Sequence, residues 1–80
     1  MDRKEYLELC QKVSMLRVGI GGIVENVPRE LMVIYDNIAY YPLSYELSYD
    51  KGIPQHNVIL HGLRSHSIVK ANLSKVRNAI

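Results

Sequence analysis

The chain reads as an α+β domain, an N-terminal helix packed on a four- or five-stranded antiparallel sheet made of two hairpins. Three observations predict this. Apolar residues recur at helical spacing from Tyr6 to Ile20. From Leu31 onward the period changes to two, in runs rich in Val, Ile and Tyr. Two short polar breaks, Asp36-Asn37 and Ser65-His66, divide those runs into hairpins. A strongly bent sheet of this size leaves open its closure into a small SH3-like barrel.

The helix is expected over residues 3–18. Tyr6, Leu9, Cys10, Val13, Leu16 and Ile20 follow the i, i+3, i+4, i+7 spacing of one face. Asp2 is placed to cap it, with Glu5 in the capping-box position. Gly19 is the expected C′ residue. Gly19-Ile20-Gly21-Gly22 then stops the helix. It lacks the Lys-Ser/Thr of a P-loop and follows a helix rather than a strand, so phosphate cradling is not expected of it. Ile23–Val27 is read as a short extra strand or an irregular link. Asn26–Glu30 is read as a capped single turn.

Strands are expected over 31–35 and 38–49, joined by a two-residue type I′ turn at Asp36-Asn37. That turn pairs 35 with 38 and 34 with 39. Met32, Ile34, Ala39, Tyr41, Leu43, Tyr45, Leu47 and Tyr49 then share the core face. Tyr40 points outward with Ser44, Glu46 and Ser48. Pro42 marks an edge or a bulge. After a turn at Asp50-Lys51-Gly52, strands over 58–63 and 67–73 form the second hairpin. Val58, Leu60, Gly62, Val69, Ala71 and Leu73 lie on one face, and Ile59, His61, Leu63, Ile68, Lys70 and Asn72 on the other. Val76 and Ile80 are read as finishing a short C-terminal turn.

Eighty residues make one domain, 1–80. Apolar residues at 48% and charged residues at 22% place the chain among folded globular domains rather than disordered ones. No apolar run approaches the ~20 residues of a membrane span, so no membrane partner is expected. The mixed charges of Met1–Glu5 do not read as a signal peptide. Cys10 is the only cysteine, which argues against a disulfide framework and for a cytoplasmic location.

The net charge of +2 conceals a split. Residues 1–50 hold five basic and eight acidic residues, a balance of −3. Residues 51–80 hold Lys51, Arg64, Lys70, Lys75 and Arg77 with no acid, a balance of +5. An anion-binding C-terminal half is one reading; mutual neutralisation of the two halves on folding is the other.

Chemistry points to the second hairpin. Arg64 suits bidentate contact with phosphate or carboxylate. Ser65, His66 and Ser67 beside it complete a candidate anion site, with His61 and Lys70 as cross-strand neighbours below. His56, His61 and His66 are spaced by five, about 16 Å apart along an extended strand. That is too far to share a zinc ion at about 2.0–2.1 Å, so no metal is expected. Cys10 on the apolar stripe behaves as a small hydrophobe. No catalytic constellation emerges, and no cofactor is expected.

The stretches 33–42, 44–52, 56–69 and 73–76 resemble small uncharacterised proteins encoded in phages and prophages of Gram-positive bacteria. The resemblance spans most of the chain and carries no catalytic residues with it. It implies a phage accessory protein of the kind that neutralises host defence. The expectation is therefore a non-catalytic binding protein. It sequesters a nucleotide-type signalling molecule, as a homo-oligomer, through Arg64, Ser65, His66, Ser67, His61 and Lys70, or it caps a host defence protein. The alternatives are a small nucleic-acid-binding domain using the basic half, and a virion assembly or structural protein.

Overall fold

Asp2 starts the helix: its carboxylate accepts the Glu5 N–H at 2.8 Å. Glu5 does not complete the capping box. Its carboxylate instead accepts from the Asn78 side chain, tying the helix to the C-terminal strand. The structure, a computed structural model, describes all of residues 1–80. Helix α1 (Arg3–Ser14) is followed by 3₁₀ turns η1 (Ile20–Gly22) and η2 (Arg29–Leu31). Strands β1 (Val33–Tyr35), β2 (Ile38–Asp50), β3 (Ile53–Gly62) and β4 (Ile68–Asn72) come next. A third 3₁₀ turn, η3 (Leu73–Lys75), leads into β5 (Arg77–Asn78). The five strands form one antiparallel sheet in the order β4-β3-β2-β1-β5, with the helix packed on it. The sheet is not closed, so the barrel alternative falls.

Helix α1 ends at Ser14, not at 18. The Met15 and Leu16 amides bond to carbonyls three residues back, those of Lys12 and Val13. The chain then enters a bridged loop. Val18 pairs with Val24, Gly19 donates to Ile23 at 2.7 Å and Glu25 to Arg17 at 3.0 Å. This local ladder takes residues 17–25 out of the helix. Gly19 is therefore extended (φ −90°) rather than left-handed, and the left-handed positions are Gly21 and Gly22. The extra strand expected over 23–27 is reduced to this one bridge. The fifth strand is Arg77–Asn78, where a turn was expected; it pairs with β1. Its two residues carry no periodicity to read.

The first hairpin has the expected register. Tyr35 pairs with Ile38 and Ile34 with Ala39, around Asp36 and Asn37 at φ 52° and 64°. The face assignment is corrected. A bulge between Pro42 and Ser44 leaves Leu43 unpaired and switches the parity of β2. Tyr40 and Pro42 share a face with Tyr45, Leu47 and Tyr49, and Tyr41 lies on the other. Tyr40 is buried in the core with Val33, Val58 and Leu60, so it is not an exposed stacking platform. Leu43, Leu47 and Tyr49 are exposed instead. The second hairpin keeps its expected faces, with Leu60 opposite Val69 and Val58 opposite Ala71. Strand β3 starts earlier than expected, at Ile53 directly after the Lys51-Gly52 turn. Residues 47–56 of the β2–β3 hairpin thus project past the ends of β1 and β4 as an arm.

Tyr6, Leu9 and Val13 supply the helix side of the core. Tyr6 is fully buried. Its hydroxyl lies 2.9 Å from the Ser44 carbonyl and 3.1 Å from that of Ile59, a cross-strand pair beside the bulge. Burial pushes the Tyr6 phenol far above its ordinary value of 10.0, with the neighbouring Cys10 thiol adding to the shift. Cys10, half-buried one turn on, is also raised by burial.

Tyr6→Phe removes the one hydroxyl donor that two partly buried carbonyls share and should cost about 1–3 kcal/mol in a denaturant melt. Both raised groups favour their neutral forms when folded. The full stability is present below 9.0, the ordinary thiol value, begins to be lost as pH rises above 9.0 and 10.0, and keeps falling until the raised folded values are passed. Stability should therefore fall on the alkaline side, and less steeply in Tyr6→Phe.

Candidate functional site: a groove between two loops

The β3–β4 turn spans Leu63–Ser67, wider than the expected two-residue tip. The Gly62 N–H donates to the Ser67 carbonyl at 2.8 Å and the Ser67 N–H to the Ser65 hydroxyl at 3.3 Å. Gly62 permits this fold. A Cβ there would stand 2.4 Å from the Ser65 hydroxyl oxygen, which occupies the space a side chain would need.

His61, opposite Ile68 on the face away from Leu60, is buried. Its Nδ1 lies 2.8 Å from the Gly62 carbonyl. A carbonyl only accepts, so Nδ1 is the donor of this bond. The ring stacks on Tyr41, with centroids 4.8 Å apart and planes at 23°. His66 meets His61 edge-on at 6.4 Å. The extended-strand separation does not apply here, because the turn curls His66 back over His61. His56 lies elsewhere, on the arm, bonded to the Tyr45 hydroxyl.

The loop at residues 17–25 reaches the same place. A Cβ on Gly21 would stand 3.1 Å from His66 Cε1, so the backbone passes close beneath the imidazole. Gly21 also sits at φ 77°, where other residues are strained. Between this loop and the β3–β4 turn lies a groove of about 650 Å³. Six of its nine lining residues are apolar, among them Ile20, Ile23, Met32 and Leu63; Arg64, Glu25 and Asn26 are the polar ones. Ile20 is 96% exposed, so the groove is open on that side.

The residues expected to form a site are thus partly assembled. Arg64 lines the groove, and Ser65, His66 and Ser67 lie in the same turn; His61 sits on β3 and lines a separate cavity with Tyr41 and Cys10. Lys70 is not with them. It pairs with Ile59, not with His61, and its ammonium lies 3.3 Å from the Glu46 carboxylate. Both groups of that ion pair are about half exposed, so it contributes little to stability. It is the chain's only ion pair, so the acidic and basic halves neutralise each other through a single contact. Arg64 is left unpaired. Sequence reasoning missed Met32 and the apolar loop residues of the groove. The doubled glycine at 21–22 was the available signal, because it allows the chain to turn back left-handed.

An apolar floor, one free guanidinium and a nearby imidazole suit a ligand with an anionic group on an apolar or flat body. Burial keeps the Cys10 thiol protonated at neutral pH and so a poor nucleophile. No helix is long and apolar enough to cross a membrane. Comparison with protein-family models, with curated proteins and with solved structures returns no match.

Gly21→Ala should destabilise the fold by about 1–2 kcal/mol, the cost of a left-handed non-glycine residue. It should also move the His66 imidazole resonances in an NMR spectrum while leaving those of His56 unchanged.

Proposed function

We propose that the protein is a non-catalytic binding protein whose ligand site is the groove flanked by Arg64 and His66. The observation that carries this reading is the unpaired Arg64 on the lining of a mostly apolar groove of about 650 Å³. That combination matches a nucleotide-type signalling molecule, with phosphate toward Arg64 and the base against the apolar wall. The resemblance to phage and prophage proteins supports a role in neutralising host defence in the bacterial cytoplasm, by holding such a signal away from its receptor. Capping of a host defence protein is the second form of the same reading. Open exposure of Ile20 at the groove favours it, since an apolar side chain there would be covered by a partner. A nucleic-acid surface draws less support. Lys51, Arg64, Lys75 and Arg77 sit in four separate places, the β2–β3 turn, the β3–β4 turn, η3 and β5.

The test is native mass spectrometry of protein purified from a bacterium that carries defence systems. A retained mass in the nucleotide range is expected. Arg64→Ala and His66→Ala should lose it, while Lys70→Ala should keep it, because Lys70 lies outside the groove. Protein that emerges bare but bound to one host polypeptide would move the reading to capping. Protein that emerges bare and alone would count against both forms.

A further inference from the structure

The outer half of β2 carries an unused hydrogen-bonding edge. Strand β1 pairs with β2 only from Ile38 to Tyr40, so no strand covers that side beyond the bulge. The turn fixes which backbone groups face out. Asp50 and Ile53 close a two-residue turn, with Lys51 and Gly52 at φ 51° and 81°. Such a closing pair exchanges hydrogen bonds, and bonded and non-bonded pairs alternate from it. Glu46 and Ser48 therefore turn their backbone groups to β3, and Tyr45, Leu47 and Tyr49 turn theirs to the free edge. Pro54 agrees with this phase: it stands opposite Tyr49, where the ladder needs no donor from it. The same proline removes a donor from the outer edge of β3, which leaves β2 as the competent edge of the arm.

The side chains of those three residues continue the core face outward. Leu47 is 41% and Tyr49 68% exposed. Glu46, Ser48 and Asp50 lie on the opposite face.

We infer that a second copy of this chain pairs its β2 edge with this one, antiparallel, about a two-fold axis at Leu47. This register brings all three outward residues into bonded pairs. Leu47 meets the partner's Leu47, and Tyr45 meets the partner's Tyr49. On the other face Glu46 meets the partner's Ser48 and Asp50 meets the partner's Ser44, so no like charges are opposed. The edge is its own complement, and the two-fold closes the assembly at two copies. The inference is independent of the groove.

Sedimentation velocity at submillimolar concentration should give twice the 9.2 kDa chain mass. Leu47→Pro removes an outward N–H without breaking a ladder bond to β3, and Leu47→Lys places two ammonium groups at the axis. Both should sediment as monomers with wild-type circular dichroism. In the wild type, amide exchange at Tyr45, Leu47 and Tyr49 should slow as protein concentration rises. Exchange at Glu46 and Ser48 should be slow throughout. A wild-type monomer, including one whose edge captures a different protein, overturns the inference. So does an oligomer that survives both substitutions with its three edge amides unprotected.

Discussion

The Tyr6 hydroxyl, aimed at the carbonyls of Ser44 and Ile59, is the contact on which the rest of the molecule depends. It joins helix to sheet at the one place where the sheet is irregular. The bulge at Pro42–Ser44 breaks the regular pairing, and the partly buried carbonyls beside it take the tyrosine hydroxyl as a donor. Pro42 has no N–H to offer and lies beyond the end of β1, so its position costs no hydrogen bond. The helix is held against β2 through the core formed by Tyr6, Leu9 and Val13.

The bulge divides β2 into halves with different roles. Before it, Tyr40 and Tyr41 are both buried in the core from opposite faces of the strand, and Tyr41 stacks on His61. After it, Tyr45, Leu47 and Tyr49 inherit the core-side face, and Leu47 and Tyr49 run past the ends of β1 and β4. One extra residue thus separates a rigid inner sheet, which positions the groove, from an arm with a free edge. The groove itself is framed by loops, and the sheet beneath sets their separation. Gly62 lets Ser65 fold under one loop, and Gly21 lets the other pass beneath His66.

Much of this was legible in the residues. The helical stripe, the Asp36-Asn37 turn, the Asp50–Gly52 turn and the two faces of the second hairpin follow from period and turn chemistry alone. Pro42 announced its bulge, but not the consequence. A parity count runs straight through an unpaired residue, so Tyr40 was placed outside and Leu43 inside. The end of α1 was misjudged because Leu16 and Ile20 keep the helical spacing, while the competing bond from Glu25 to Arg17 is invisible locally. Strand β5 is defined by its partner β1, not by its own two residues. At the site, the Arg64–Ser67 turn was visible as a polar, basic tip. Its apolar wall was not, because Ile20, Ile23 and Met32 come from another part of the chain. Lys70 stays outside the site because the wider turn shifts the hairpin register and Glu46 holds its ammonium.

The central claim is that one groove, built from the 17–27 loop and the β3–β4 turn, is the binding surface. A backbone NMR titration with a panel of mono- and cyclic nucleotides tests it most directly. Saturable shifts confined to residues 20–27 and 63–67, and abolished by Arg64→Ala, are the predicted result. Shifts centred on the arm or on η3 and β5, with the groove silent, would contradict it.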